Sequence, residues 1–340
     1  MHTAPVRTFD NVASYRTWRD ESLRQRQTVG FVPTMGALHE GHLGLVDASL
    51  AENEMTVVSI FVNPAQFAPH EDLSSYPRTL EGDLEKLHAR QQKANADGRL
   101  VVLLPTVKDM YPHGFTQEVA KQIGAFVEVK GLSHQMEGTT RPTFFRGVAT
   151  VVTKLFNIVM PDRAYFGQKD IQQAMVLRRL VDDLLFRYPL GRQNVRVLPT
   201  ERDPADQVAL SSRNAYLDTE GRGAAPLLYQ ALSHGQRTWE ALLTQDVPAS
   251  ERIEATLAAV RHTVDQGAAA LAAQTPAEAK RAKVALDYVC LNDPATLEEL
   301  TSDAGTGAIL SGALWVHNDA KDAKPATRII DNLLLGFSLD

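Results

Sequence analysis

The segment Met55-Thr-Val-Val-Ser-Ile-Phe-Val62 is the strongest constraint on the fold, because it is apolar nearly throughout rather than at alternate positions. A strand with one wet face alternates apolar and polar residues, whereas a strand covered on both faces does not. The second pattern is what a parallel sheet between two helical layers requires. Thr28–Val32, which breaks at Pro33, and Leu100–Leu104 read the same way, and Val195–Leu198 is a fourth, shorter candidate. Between them Val148, Val151, Val152, Leu155 and Val159 recur at helical spacing, and Pro161 closes that helix. Asp170 to about Leu185 reads as a second amphipathic helix. This alternation predicts a doubly wound α/β domain whose ligand sits beyond the carboxyl ends of the strands.

After about residue 205 the character changes. Ala-rich helical stretches, about 221–243 and 250–273, precede three apolar runs: Val284–Leu291, Ala308–Val316 and Arg328–Ile330. Helices followed by strands predict a smaller α+β domain. The expected division is 1–203 for the first domain and 204–340 for the second, the latter acting as a lid. Two polar segments, 91–99 and 274–283, read as surface loops, and there is no internal repeat.

Composition narrows the class. The chain has 340 residues, 44% apolar and 22% charged, enough for one large or two ordinary cored domains and close to the globular average. Net charge is −6 with no sustained Lys/Arg run, which argues against nucleic acid or a membrane surface as the main partner. The lone cysteine, Cys290, excludes an intramolecular disulfide framework and a Cys-rich metal site. It lies in an apolar run and reads as a buried structural thiol. The first ten residues lack the apolar core of a signal peptide, and no stretch reaches a membrane span, so a cytoplasmic soluble protein is expected.

Four segments carry chemistry. The first, Pro33-Thr-Met-Gly36-Ala-Leu-His39-Glu-Gly41-His42, follows the first of these predicted strands. Gly36 and Gly41 allow close backbone approach, and His39 and His42 share one face of the helix that starts there. Two imidazoles at a helix N-terminus suit a triphosphate, while the bland alternative is a strand–turn–helix with two surface histidines. Zinc is disfavoured, because H-E-x-x-H needs i, i+4 and these histidines are i, i+3.

The second segment, Phe166-Gly167-Gln168-Lys169-Asp170-Ile-Gln172-Gln173, again joins a strand to a helix. Lys169 is a compact cation for a phosphate whose charge grows during displacement, and Gln172 or Gln173 can donate to a carboxylate or hydroxyl. The third, Leu210-Ser211-Ser212-Arg213-Asn214, offers hydroxyls and a guanidinium on a hinge loop at the proposed junction, or a plain Ser-capped helix start. In the fourth, Phe61-Val-Asn63-Pro-Ala-Gln66-Phe67, the Asn63 and Gln66 amides can fix a small polar substrate against an aromatic wall; an ordinary Asn-Pro turn is the alternative.

These segments, in this order, resemble the pantothenate synthetase (pantoate–β-alanine ligase) family. Tyr76-Pro-Arg-Thr79 and Met136-Glu-Gly-Thr-Thr-Arg141-Pro-Thr-Phe-Phe-Arg146-Gly-Val148 extend the likeness, which is dense from residue 28 to about 217 and loose in the last third. The family belongs to the HIGH-type nucleotidyltransferase superfamily with a Rossmann-like fold. The resemblance implies that ATP and (R)-pantoate, with Mg²⁺, give pantoyl-adenylate and pyrophosphate. The amine of β-alanine then displaces AMP to give pantothenate.

It further implies that His39 and His42 contact the ATP phosphates and that Lys169 stabilises the transition state at the α-phosphate. Leu210, Ser211, Ser212 and Arg213 would form a flexible phosphate loop. Pro33, Gly36, Gly41, Gly167 and Asp170 would line the nucleotide side, and Met35 would border both ligands. Gln66 and Gln173, with Asn63, would hold pantoate. Asp83 lies where the family has an acidic metal-associated cluster, with Gly82 where a second acid is expected. A homodimer is also implied.

The chain departs from the pattern in three places. Phe144 stands where many members have His. Gln207 replaces a Gly before Ala209-Leu-Ser-Ser-Arg213 and tolerates fewer backbone angles, and the 203–206 loop looks one residue longer. Two other readings are a nucleotidyltransferase of the same fold acting on a phosphate ester, and a non-catalytic nucleotide-binding protein.

Overall fold

A computed structural model describes residues 5–67, 73–74, 76–245, 247–273, 282–302, 307–317 and 326–339. The chain divides into two units, Met1–Pro199 and Thr200–Leu339. The first runs β1 (Arg7–Phe9), α1 (Val12–Arg24), β2 (Val29–Thr34), α2 (Glu40–Glu52), β3 (Met55–Ile60), α3 (Leu80–Lys93) and β4 (Leu100–Leu103). It continues through the short α4 (Val107–Met110) and α5 (Glu137–Thr140) to α6 (Phe144–Val159), β5 (Arg163–Gly167), α7 (Ile171–Asp183) and β6 (Val195–Leu198).

The six strands form one parallel sheet in the order β1-β4-β3-β2-β5-β6. From β2 the chain winds outward through β3 and β4 on one side and β5 and β6 on the other. This is the doubly wound Rossmann-like arrangement, with β1 added at one edge. As continuous apolar character requires, β4 is buried along its whole length and β3 at every position but Ile60.

Two departures from the expected strands have physical reasons. β1 is three residues long, too short for periodicity to show. β2 continues through Pro33 to Thr34 instead of stopping at the proline. Val29 exchanges bonds with Asp162 just before β5, so the alternation of the strand aims the backbone nitrogens of Phe31 and Pro33 to that same side. The β2–β5 ladder ends at Phe31–Ala164, so the hydrogen that proline lacks falls where no ladder remains. β5 goes on pairing with β6 as far as Gly167–Leu198. The sheet therefore opens between the carboxyl ends of β2 and β5, at its topological switch point.

α6 is amphipathic and ends with Met160 in the left-handed region, φ 50°. Its last carbonyls are capped by a side chain the sequence did not advertise. Arg19 from α1, fully buried, donates Nε to Val159 O at 3.0 Å and Nη2 to Met160 O at 2.8 Å. A cation at a helix C-terminus satisfies both the orphan carbonyls and the dipole.

The second unit contains α8 (Thr219–Ala224), α9 (Pro226–Leu243), α10 (Ala249–Ala273) and an antiparallel sheet of β7 (Lys283–Asn292), β8 (Ala308–His317) and β9 (Thr327–Leu335), with β8 central. Trp239, Leu228, Leu232, Val260, Leu310 and Leu314 belong to its core. Cys290 is buried in β7 and its thiol donates to Asn292 Oδ1 at 2.9 Å. The predicted 91–99 loop contains the last turn of α3. The predicted 274–283 loop lies outside the described residues except for Ala282 and Lys283. Among the described residues no helix is long and apolar enough to cross a membrane.

Candidate active site

The loop after β2 turns sharply, with Gly36 at φ 84° and Ala37 at φ 52°. Gly36 supplies the left-handed geometry at no steric cost, whereas Ala37 adopts it under strain. The turn delivers His39 to the N-cap of α2, where its Nδ1 accepts from the backbone N–H of Gly41 at 3.2 Å. In the neutral ring the proton then resides on Nε2, leaving Nε2 as an outward donor. His42 follows one turn later, and the two rings lie 4.1 Å apart between centroids. Among the described residues His42 Nδ1 is buried without a hydrogen-bond partner.

Both imidazoles are held neutral. Burial, then the neighbouring His42 and the charge of Lys169, hold His39 down to about 3. Burial, then Lys169 and Lys86, hold His42 down to about 4. Lys169 sits in the short 3-10 turn Gln168–Asp170 that joins β5 to α7, and its charge is felt at both histidines. The charge of Asp170 opposes it at His39. The fold thus brings the first two sequence segments together across the opening between β2 and β5, as two neutral imidazoles beside one lysine. The histidines are hydrogen-bonding groups here rather than cations.

The fourth segment lies at the end of β3. Asn63 is 1% exposed and its amide is fully engaged. Its Oδ1 accepts from Tyr111 Oη at 2.7 Å and from Ala65 N at 3.3 Å. Its Nδ2 donates to Gln66 Oε1 at 3.0 Å and Gly147 O at 3.3 Å. Asn63 therefore holds the Gln66 side chain by its Oε1, so the NH₂ is the end of that amide that Asn63 does not occupy. Arg141 steadies the same turn, donating to Gln66 O at 2.9 Å while its guanidinium lies 3.9 Å over the Phe144 ring. Phe144 thus has a partner of its own. Gly147 is needed for close approach, since a Cβ there would come within 2.1 Å of Ala65 O.

Of the two glutamines left open in the second segment, Gln172 is 3% exposed and holds Leu132 O and Gln135 O at 2.9 and 2.7 Å. Gln173, the next residue on α7, is half-buried, as are Met35 and Gly167.

Asp83 is fully buried in α3. Its carboxylate accepts from Ala37 N at 2.9 Å, Leu38 N at 2.8 Å and Thr79 Oγ1 at 3.2 Å. Both oxygens are therefore committed to backbone and hydroxyl donors, a poor disposition for a metal ligand. Among the described residues no three His, Cys, Asp or Glu side chains group to hold a metal ion.

In the second unit, Ser211 caps the 3-10 turn Ser212–Tyr216, its Oγ accepting from Arg213 N at 3.3 Å. Leu210 N donates to Glu201 O at 2.9 Å, closing the loop between them. Arg222 clamps that loop through Asp203 at 2.8 Å and Asp206 at 2.5 Å. Gln207, at φ 64°, occupies the left-handed position that a glycine would take without strain. Sequence reasoning missed Lys86, Tyr111 and Arg222, and gave no role to Thr79 and Gly147, although both lie in segments that carry the family likeness; all five act by supporting a neighbour.

Comparison with known proteins gives a consistent picture. The family model for pantoate-beta-alanine ligase matches residues 7–334. The chain is 44% identical over 312 residues to a pantothenate synthetase of Herpetosiphon aurantiacus, covering 92% of this chain and 95% of that one. It is 40% identical over 338 residues to the pantoate–beta-alanine ligase of Saccharomyces cerevisiae, covering 97% and 100%. Among solved structures it resembles a pantothenate synthetase from Thermus thermophilus, with TM-score 0.71, 38% identity and coverage of 96% and 99%. A pantoate-beta-alanine ligase from Francisella tularensis, solved with beta-gamma ATP and beta-alanine, superposes with TM-score 0.64 at 29% identity over 98% and 100% of the two chains.

Proposed function

Because this chain belongs to the pantoate–β-alanine ligase family, enzymes of pantothenate synthesis, we propose that it condenses (R)-pantoate with β-alanine through a pantoyl-adenylate. The observation that carries the reading is the meeting of His39, His42 and Lys169 at the opening between β2 and β5. A pantoate carboxylate oxygen attacks the α-phosphorus of ATP and the bond to pyrophosphate breaks. The β-alanine amine then attacks the acyl carbon, loses a proton and expels AMP.

Two anions meet in the first step, so the protein's task is to neutralise and align them. Neutral His39 and His42 donate to phosphate oxygens without the desolvation cost of burying two cations. Lys169 places its charge where negative charge accumulates on the α-phosphate. Gln66, whose Oε1 is held by Asn63, and Gln173 receive the pantoate oxygens. Ser211, Ser212 and Arg213 bind the phosphate chain. No enzyme nucleophile is required, because pantoate supplies it. The mixed anhydride must be kept from water until the amine arrives.

Mg²⁺ enters as part of the MgATP substrate, where it screens phosphate charge. With Asp83 bound to the loop backbone, no step is assigned to a protein-held metal. A homodimer in the cytoplasm belongs to the same proposal and rests on the family likeness.

The test is a product assay with ATP, Mg²⁺, pantoate and β-alanine. The reading requires pantothenate and AMP in equal amounts, with omission of either acid abolishing both. A dinucleotide product formed from a phosphate ester would support nucleotidyl transfer instead.

A further inference from the structure

We propose that Asp83 is a positioning residue for the loop that presents His39 and His42, working with Lys86 on the same helix rather than as a metal ligand. The proposal rests on the reading of those histidines as phosphate donors.

The loop is a strained object. Gly36 and Ala37 are successive left-handed residues, φ 84° and 52°, and beyond them the backbone N–H groups of Ala37 and Leu38 converge on one point. A convergence of this kind attracts an anion. Here the anion is built in. Asp83 takes Ala37 N on Oδ2 at 2.9 Å and Leu38 N on Oδ1 at 2.8 Å, and Thr79 adds a third donor at 3.2 Å. The carboxylate is fully buried, so no solvent competes for these bonds. A methyl added at Gly36 would stand 3.2 Å from Asp83 Oδ2, which shows how closely backbone and carboxylate meet.

One turn further along α3, Lys86 Nζ donates to Leu38 O at 2.6 Å. The peptide groups around Leu38 are thus gripped from both ends, N–H by Asp83 and C=O by Lys86. Another turn on, Arg90 bonds Asp47 at 2.7 Å and also Glu40, both on α2. Residues 83, 86 and 90 form a column at i, i+3, i+7 that holds the loop and the helix it opens. His39 is the residue after Leu38, so freedom gained at Leu38 is freedom gained at the imidazole.

The experiment is pantoate-dependent ATP–pyrophosphate exchange on the full chain, comparing wild type with Asp83→Asn, Asp83→Ala and Lys86→Met, each titrated with ATP, pantoate and Mg²⁺. Asn keeps one acceptor and Ala none. Exchange turnover should therefore fall in the order wild type, Asp83→Asn, Asp83→Ala, by up to about 10²-fold for a misplaced donor. KM for ATP and pantoate should move less than about threefold and half-saturating Mg²⁺ not at all. Lys86→Met should lower turnover in the same way and keeps the test alive should Asp83→Ala not fold. An Asp83→Asn enzyme that recovers at raised Mg²⁺ would make Asp83 a metal ligand and overturn the proposal, as would Asp83→Asn exchange equal to wild type. A wild type with no pantoate-dependent exchange would overturn the functional reading itself, and the proposal with it.

Discussion

The imidazole rings of His39 and His42 lie 4.1 Å apart between centroids and are tilted by 39° to one another. Burial is the main reason that both rings stay neutral down to about pH 3 to 4; the charge of Lys169 adds to it at both, and the neighbouring His42 adds to it at His39.

Acid sensitivity is the first consequence. An unfolded histidine takes its proton near 6.5, whereas these two take theirs at about 3 and about 4. Between those limits the unfolded chain binds more protons, so stability rises with pH. The pair costs nothing above about 6.5 and destabilises progressively as pH falls toward 4. Urea unfolding of the wild type should therefore lose stability more steeply from pH 7 to 4.5 than His42→Gln. Parallel curves would contradict the neutral pair.

On the proposed reading, Lys169→Ala removes the cation that faces the developing phosphate charge. Loss of one preorganised donor lowers turnover by roughly 10²–10³. Single-turnover adenylate formation should fall by that factor with a much smaller change in ATP affinity. A near-normal single-turnover rate would remove Lys169 from the chemistry.

Gly147→Ala would drive a methyl to 2.1 Å from Ala65 O and push on the turn that carries Gln66. Overpacking of this kind costs roughly 1–3 kcal/mol. Denaturant unfolding should show that loss, and steady-state kinetics should show pantoate KM rising more than ATP KM. Equal changes in both would mean that the turn does not serve pantoate.

Gln207 holds a left-handed backbone angle, φ 64°, inside the loop that Arg222 clamps. Releasing that strain in Gln207→Gly is worth about 1–2 kcal/mol, partly offset by the greater freedom of glycine in the unfolded chain. A net gain of up to about 1 kcal/mol is expected in chemical unfolding. A loss of stability would show that Gln207 is unstrained there.

Much of this was legible in the sequence, and the limits have physical causes. Continuous apolar runs announced the buried parallel strands, and helical periodicity located α6 and α7. Motif spacing placed His39 and His42 after one strand and Lys169 after another, and the fold brings the two junctions to one opening in the sheet. Pro33 misled because a proline breaks a strand only where a ladder bond is needed, and the β2–β5 ladder has ended before it. Asp83 and Lys86 look like an ordinary charged helix face until the loop that they grip is folded against them. Asn63 read as a substrate contact because its amide faces no visible partner in one dimension. Tyr111, Gly147 and the far side of Gln66 close around it only in three.

The most direct test of the central claim is ATP–pyrophosphate exchange with purified protein, Mg²⁺ and pantoate in the absence of β-alanine. The account predicts exchange that depends strictly on pantoate, because the adenylate forms reversibly before the amine is needed. No exchange from folded protein that nonetheless makes pantothenate when β-alanine is added would contradict a free-standing adenylate step.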